Sequence, residues 1–236
     1  MTKSRDVKRA GLAEFLGSLL LAATVIGSGI MAERLAGGNA AIALLGNTAA
    51  TVAVLGVLIA SFAPMSGAHF NPVVTLVALT QKKVTGTQAG CYVVLQIAGC
   101  CAGAVLAHAM FELPLIQASM HARAGMAQWI AEIVATSGLI LVAFSSPTAQ
   151  EAAWRVPAWI AGAYWFTAST SFANPAITIG RSLSDTFSGI RPQDVPGFVI
   201  AQVSGALIGM LLLWLLAERI VHDGATRTAS MADKIE

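Results

Sequence analysis

Six long apolar stretches make up most of this 236-residue chain and constrain its fold more than any other feature. They cover residues 10–31, 40–63, 88–110, 127–147, 154–170 and 196–217. A helix of ~20 apolar residues can cross the hydrocarbon layer of a bilayer. Only 11% of the residues are charged, against about 25% in a typical soluble domain. The sequence therefore predicts an all-α integral membrane protein with six spans.

Two similar tripeptides, Asn71-Pro72-Val73 and Asn174-Pro175-Ala176, each follow a long apolar stretch and precede a short apolar run. Proline is favoured at the first position of a helix, because its φ is already helical and the N–H that it lacks would be unpaired there. Each tripeptide therefore predicts the start of a short helix capped by its asparagine. An ordinary loop turn could explain one such tripeptide, but it explains two at matched places poorly.

A helix that starts inside a bilayer leaves unpaired N–H groups at its tip, which is tolerated only beside a wet cavity or inside protein. Two such tips predict a permeation pore between them. Asn71 and Asn174 would cap the two helices and keep side-chain N–H groups free to donate to a passing solute.

The two halves of the chain share several features in the same order, which indicates an internal repeat. Each half has a glutamate in its first span, Glu14 or Glu132, and a glutamine within its last span, Gln96 or Gln202. With three spans each, the halves insert in opposite orientations, and an inverted repeat places a site at the bilayer midplane. The predicted single transmembrane channel domain covers residues 1–236, with repeats at about 8–115 and about 122–220.

Glu14 and Glu132 each place a carboxyl group inside an apolar span, which is costly enough that a paired or functional role is expected. The favoured interpretation is structural. Each carboxylate would accept hydrogen bonds from the irregular backbone before an Asn-Pro pair, whose N–H groups need acceptors at membrane depth. The alternative is that the two carboxyls carry protons for coupled transport.

Positively charged residues between the spans predict the orientation of the chain. One side would carry Lys3, Arg5, Lys8, Arg9, Lys82, Lys83, Arg155, Arg219, Arg227 and Lys234. The other side would carry Arg34, Arg123, Arg181 and Arg191. Because cytoplasmic loops are enriched in Lys and Arg, both termini are predicted to lie in the cytoplasm. The net charge of +2 reflects this topology and does not indicate a nucleic-acid partner.

Cys91, Cys100 and Cys101 all lie in the third span, without the spacing of a metal site. We interpret them as free, buried thiols that serve packing, with a metalloid-sensing role as the less favoured alternative. The serine and histidine residues lack a nucleophile-and-base context. The sequence therefore predicts no enzymatic activity, no cofactor and no metal site.

Two longer motifs surround the Asn-Pro pairs, Ser-Gly-Ala-His-Phe-Asn-Pro at residues 66–72 and Ser-Phe-Ala-Asn-Pro-Ala at residues 171–176. With the paired glutamates and glutamines, they make the chain resemble the aquaporin, or major intrinsic protein, family over nearly its whole length. The resemblance implies six tilted helices and two re-entrant half-helices in an inverted repeat. It also implies a homotetramer in the lipid bilayer, with one pore per subunit for small neutral solutes. His69 would line the cytoplasmic half of the pore, either as a constant polar group or as a pH-sensitive one.

The chain departs from the family's pattern at two positions. Val73 stands where the family usually has alanine, a mild change that could alter pore shape. Ile177 stands where members generally place an arginine that forms the charged wall of the outer constriction. Counting from the motifs in the family's manner gives a constriction lined by Thr51, Gly162, Ser171 and Ile177.

None of these four residues is charged or aromatic, so the resemblance implies a wide and weakly polar constriction that passes solutes larger than water. Ala161 or Ala163 would serve the same argument if the count to Gly162 is off by one residue.

Arg181 lies four residues beyond Ile177, about 6 Å further along a helix on the same face. In one interpretation, the guanidinium is relocated to the outer mouth of the pore. There it would oppose cations and attract anionic or strongly polar solutes. In the other, Arg181 extends to the membrane interface or pairs with Asp185.

An aliphatic residue in place of the arginine resembles the bacterial channels associated with arsenic-resistance operons. This implies a multi-pass protein of a bacterial inner membrane. It adds neutral metalloid hydroxides, such as arsenous acid and methylated arsenicals, to water, glycerol and urea as candidate solutes. The alternatives are a water-selective aquaporin, a proton-coupled secondary transporter, and a nonconducting structural protein of the same fold.

Overall fold

The computed structural model describes the backbone of residues 2–232 and the side chains of residues 7–216. Within these residues every regular element is a helix, as predicted. The helices, with a short 3₁₀ turn at Pro192–Asp194, are α1 (Thr2–Leu35), α2 (Ala40–Ser66), α3 (Pro72–Thr80), α4 (Gly86–Met110), α5 (Met126–Ser145), α6 (Ala149–Phe166), α7 (Pro175–Arg181) and α8 (Val195–Ala232). In the described part of the chain, five helices are long and apolar enough to cross a membrane: α1, α2, α4, α5 and α8.

The sixth long helix, α6, begins and ends earlier than the span predicted at residues 154–170. Thr148 caps it by accepting a hydrogen bond from the Glu151 N–H at 3.1 Å, and Glu151 pairs with Arg155 at 2.8 Å. A threonine followed three residues later by a glutamate favours a helix start, so the helix begins before the apolar run does. These charged residues leave α6 without the long apolar stretch that each of the other five helices contains. It packs against α2 and α5 and completes the set of six.

Each half of the molecule is built on one close helix pair, α1 with α4 and α5 with α8. Gly99 of α4 lies so close to α1 that a Cβ atom there would clash with the Phe15 carbonyl oxygen. Gly205 of α8 has the same relation to the Ile133 carbonyl oxygen of α5. Small residues permit such close helix contacts in membranes, where packing rather than the hydrophobic effect holds helices together.

The two short helices α3 and α7 are the predicted half-helices. They meet near the centre of the molecule, where α3 contacts α4 and α8, and α7 contacts α1 and α4. The segment between α4 and α5 lies against the segment that follows α7, through bonds from Gln117 N to Leu183 O at 3.0 Å and from Arg191 N to His121 O at 2.8 Å. The architecture is therefore six long helices around two re-entrant half-helices in an inverted repeat.

Part of the charge pattern used to predict orientation falls outside the side chains that the structure describes. Those residues are Lys3, Arg5, Arg219, Arg227 and Lys234. The ends of the predicted domain, residue 1 and residues 233–236, also lie outside the described chain.

Candidate functional site

The two half-helices are joined by a reciprocal pair of hydrogen bonds. Asn71 donates its Nδ2 to the carbonyl oxygen of Ala173, and Asn174 donates its Nδ2 to that of Phe70, both at 2.8 Å. Each asparagine also caps its own helix, accepting the N–H two residues further on at 3.1 Å in α3 and 2.9 Å in α7. One of the two amide hydrogens of each side chain is thus already used, and the other remains free to donate.

The first buried glutamate holds the loop that leads into α3. Glu14 is fully buried, and its Oε1 accepts the His69 N–H at 3.0 Å while its Oε2 accepts the Phe70 N–H at 2.7 Å. The Ser66 hydroxyl and the Gln96 amide donate to the same carboxylate. Both oxygens therefore serve as acceptors for backbone that has no helical partner.

The second glutamate repeats this arrangement at the loop that leads into α7. Glu132 is also fully buried, and it accepts the Phe172 and Ala173 N–H groups, each at 2.8 Å. Gln202 donates to its Oε2 at 2.7 Å. The matched contacts in the two halves favour the structural interpretation of the glutamates over proton relay.

Both loops have an unusual backbone that these carboxylates stabilise. Ala68 and Phe70 in the first loop have φ of 52° and 49°, and Ser171 and Ala173 in the second have φ of 52° and 48°. Residues with a side chain rarely adopt this left-handed region, because the Cβ atom lies too close to the following carbonyl oxygen. The sequence predicted where the loops lie but gave no sign of this conformation.

A cavity of about 420 Å³ runs along both loops and past the asparagine junction. The predicted residues that line it are Thr51, His69, Asn71, Ser171, Asn174, Ile177 and Arg181. Most of the other lining residues are apolar, with Leu55, Leu139 and Val156 among them. Lys83 follows α3 and Arg181 ends α7; because the two half-helices meet at their N-terminal ends, these two lining residues lie toward opposite ends of the cavity. Such a polar stripe on an apolar wall suits a small solute that must enter and leave again.

Gly162 does not line this cavity, in contrast to its predicted place in the constriction. It is exposed, and a Cβ atom built on it would meet no other atom within 4 Å. The face of α6 that lines the cavity carries Val156, Ile160 and Tyr164, at a spacing of four residues. The count from the second motif therefore reaches the wrong face of α6, and Tyr164 adds an aromatic ring to the cavity. The neighbours Ala161 and Ala163 are not lining residues either.

Two hydroxyl groups among the lining residues lack a partner in the protein. The Thr51 Oγ1 and the Ser171 Oγ are buried and form no hydrogen bond with any described residue. Leaving a buried hydroxyl unpaired costs about 1–3 kcal/mol. Both residues line the cavity, but the two hydroxyl oxygens are buried against protein, so a side-chain rotation must precede any contact with a solute.

Arg181 lies at one end of the cavity, inside the protein. Its side chain is only 3% exposed, its Nε donates to the Ser188 carbonyl oxygen, and its guanidinium carbon lies 3.3 Å from the centre of the Phe172 ring. Asp185 instead accepts the Met120 N–H at 2.8 Å. The structure therefore favours the relocated guanidinium over an interfacial position or an ion pair with Asp185.

Arg123 is a structural residue of this region that the sequence did not single out. Its guanidinium donates to the carbonyl oxygens of Gly189 at 2.8 Å and of Ser169 and Phe187 at 3.4 Å each. Burial lowers the pKa of the Arg123 guanidinium, and the charge of Glu132 opposes that shift. Since arginine stays charged in proteins, Arg123 acts as a clamp on the loops around α7. Its position in the loop just before α5 gave no signal of this role.

Comparison with known proteins agrees with this geometry. Residues 1–161 match the family described as Major intrinsic protein. The chain is 48% identical over 229 residues to "Aquaglyceroporin AqpS" of Rhizobium meliloti (strain 1021), covering 95% of this chain and 98% of that protein. The chain belongs to the major intrinsic protein family. It is also 29% identical over 237 residues to "Aquaporin-2" of Rattus norvegicus, covering 89% of this chain and 79% of that protein.

The fold is also similar to that of a solved structure. The X-ray structure of the aquaglyceroporin from Plasmodium falciparum superposes with a TM-score of 0.64, covering 87% of this chain and 93% of that one at 20% identity. This likeness concerns the fold. It confirms the predicted fold.

Val73 and Ile177, which depart from the family's pattern, have different surroundings. The Val73 N–H is bound to the Asn71 Oδ1, but its side chain is buried in a cluster with Val77, Ile140 and Ala206 and does not line the main cavity. Ile177 does line the cavity, with its N–H bound to the Asn174 Oδ1 at 3.3 Å. Only the second departure therefore changes the wall of the pore.

His69 lines the cavity on the α3 side. Its Nδ1 lies 3.1 Å from the Thr75 Oγ1, and its ring packs edge-on against Tyr92, with 5.6 Å between ring centres. These contacts fix the orientation of the ring. They fit the constant polar lining group of the two predicted roles.

The three cysteines lie in α4, outside the cavity lining. All are free thiols; Cys100 is buried, and Cys91 and Cys101 are half-buried. The Cys100 Sγ lies 3.7 Å from the Ser18 carbonyl oxygen of α1. This position fits the packing interpretation.

Proposed function

We propose that the protein is a passive channel for water and small uncharged solutes such as glycerol and urea. The observation that carries this proposal is the cavity that passes the reciprocal Asn71–Asn174 junction between a polar stripe and an apolar wall. The Rhizobium meliloti relative is named an aquaglyceroporin, and the same class of solute suits this cavity.

The range of solutes depends on a constriction without the family's arginine. Its walls would be formed by Thr51, Ser171 and Ile177, with Tyr164 in place of Gly162. Ile177 removes a charge and narrows the passage less than a guanidinium would. One aromatic ring beside three smaller side chains supports passage of solutes larger than water, and it disfavours a water-selective pore.

The polar residues Thr51 and Ser171 at the cavity wall extend the proposal to metalloid hydroxides. Arsenous acid is neutral and presents three hydroxyl groups much as glycerol does, so one hydrogen-bonding wall suits both. Methylated arsenicals combine hydroxyl and methyl groups, which suit the polar stripe and the apolar wall respectively. We therefore include arsenous acid and methylated arsenicals among the solutes.

We further propose a homotetramer in a bacterial inner membrane, with both termini in the cytoplasm. Lys82 and Lys83 follow α3, whereas Arg34, Arg123 and Arg191 lie on the side where α7 ends. The positive-inside rule then assigns the Lys83 end of the cavity to the cytoplasm and the Arg181 end to the outside.

Stopped-flow light scattering on proteoliposomes tests the solute range. We expect wild type to pass water, glycerol and arsenous acid. Ile177→Arg should lower glycerol and arsenous acid permeability roughly tenfold, a barrier increase of about 1.4 kcal/mol, while water permeability changes less. Ile116→Arg is the matched control, because Ile116 is exposed and lies outside the cavity. Passage of water alone through wild type would contradict the proposed range.

A further inference from the structure

Among the described residues that line the cavity, Arg181 is the one with a guanidinium group. It is 3% exposed, and within the described residues it forms no ion pair. Its Nε is bound to the Ser188 carbonyl oxygen, but no described residue pairs with its two terminal nitrogens. Buried charged donors are normally paired with a carboxylate or fully hydrogen-bonded. This side chain therefore keeps unused donors at the wall of the cavity.

The neighbouring charged groups leave a surplus of positive charge around Arg181. Arg123 lies near the same Phe172 ring, with its guanidinium carbon 5.1 Å from the ring centre. Glu132 is the nearby carboxylate, and it already accepts two backbone N–H groups and the Gln202 amide. Two guanidinium groups thus face one carboxylate, which leaves one positive charge uncompensated.

Asp194 does not neutralise this surplus. It accepts the backbone N–H of Arg123 at 2.7 Å, and its Oδ2 lies 3.1 Å from the Nε of Arg191, with which it forms an ion pair. Its charge is therefore matched by that of Arg191.

Ser171 is a second polar residue at the cavity wall. Ser171 directly precedes Phe172, on whose ring Arg181 is stacked, and its hydroxyl is buried without a partner among the described residues. A guanidinium presents parallel N–H donors that match two oxygens of a planar anion. A neutral solute uses these donors less well than an anion does.

We propose that Arg181 and Ser171 form a binding subsite for a small monovalent oxyanion at the outer end of the cavity. This inference rests on the proposed channel, because the anion reaches the subsite through the same cavity. An anion held there obstructs the path of neutral solutes. Planar monoanions of nitrate or formate size fit the two donors, whereas bulky carboxylates do not enter.

Glycerol permeability of proteoliposomes in sodium nitrate tests the subsite, with sodium gluconate at the same ionic strength as the reference. Nitrate carries its charge at every pH used and does not cross as a neutral acid. We expect about 100 mM nitrate to lower wild-type glycerol permeability roughly twofold or more, as a site with a Kd of ~100 mM or below would. Arg181→Gln should abolish this inhibition, and Arg181→Lys should keep part of it.

Arg34→Gln is the control for loss of an arginine outside the cavity, and it should remain sensitive to nitrate. Equal inhibition of wild type and Arg181→Gln, or no inhibition while glycerol permeation persists, would overturn the subsite and leave the channel intact. Failure of glycerol to permeate at all would instead contradict the proposed function.

Thermal unfolding of the purified protein gives a second measurement that does not depend on permeation. A ligand that binds only the folded state raises the melting temperature. Nitrate should raise the melting temperature of wild type above its value in gluconate, and should do so less for Arg181→Gln. An equal shift for both proteins would overturn the subsite even if no solute permeates.

Discussion

Tyr164 shows how a single residue changes the expected constriction. The family-based count points to Gly162, a residue without a side chain, whereas the structure places a phenol ring at the cavity wall two residues further on. The face of α6 with Val156, Ile160 and Tyr164 lines the cavity, whereas Gly162 lies off that face. Tyr164 therefore replaces Gly162 as the α6 residue whose effect on solute size is worth testing.

Replacing this ring tests the assignment. Tyr164→Ala should widen the cavity and raise the permeability for a larger polyol such as erythritol severalfold, with a smaller effect on water. Gly162→Ala should change neither, because a methyl group at Gly162 meets open space outside the cavity. Stopped-flow measurements on both variants separate the two positions. A change in erythritol permeability for Gly162→Ala and not for Tyr164→Ala would restore the family-based count.

The glutamates are residues whose place could be foreseen. A carboxyl group in an apolar span needs hydrogen-bond donors, and the unpaired N–H groups before an Asn-Pro pair need acceptors. These two requirements predict the contacts that Glu14 and Glu132 make with the loops. The unused donors of Arg181 could not be foreseen in this way. They depend on Asp185 bonding to Met120, a contact between segments 65 residues apart.

At the scale of helices, the close pairs α1–α4 and α5–α8 depend on residues without side chains. Gly99 meets the backbone of α1 so closely that the interface has no space for a methyl group. The same helix contains Gly90, whose Cβ position is open. The two glycines therefore permit a comparison within one helix.

Gly99→Ala should destabilise the protein by about 1–3 kcal/mol, because overpacking forces α1 and α4 apart. Gly90→Ala should be neutral or stabilise it by up to about 1 kcal/mol, since alanine favours helix. Thermal unfolding in detergent, with monitoring of helix content, measures both. Equal melting temperatures for the two variants would show that the α1–α4 contact is looser than described.

The half-helices follow from the sequence more directly than α6 does. Asn71 and Asn174 each combine an N-cap with a proline at the next position, a local signal that needs no knowledge of the rest of the fold. The left-handed backbone at Phe70 and Ala173 has no such local signal. It arises because buried carboxylates and the opposite half-helix hold the loops from outside.

At the scale of the whole molecule, the cavity has no carboxylate among the described residues that line it. Both buried glutamates use their oxygens to hold backbone, and they lie behind the loops rather than in the cavity. A coupled transporter needs a group that gains and loses protons as the solute moves. This arrangement favours passive flow along the solute's own gradient.

Glycerol flux should therefore be independent of a proton gradient. Proteoliposomes with equal and with unequal internal and external pH should equilibrate glycerol at the same rate, with or without a protonophore. The rate should rise in proportion to the glycerol gradient. Accumulation of glycerol against its gradient when a pH difference is imposed would contradict a passive channel and support the transporter alternative.

The reciprocal asparagine bonds also constrain how the chain is made. The partner of the Asn71 amide lies 102 residues further along the chain, and that of Asn174 lies 104 residues back. A nascent chain that has delivered only its first half to the membrane has no acceptor for Asn71. The pore lining is thus completed late in biogenesis, after the second half is inserted, and a polypeptide that ends before α7 yields membrane helices without a finished passage.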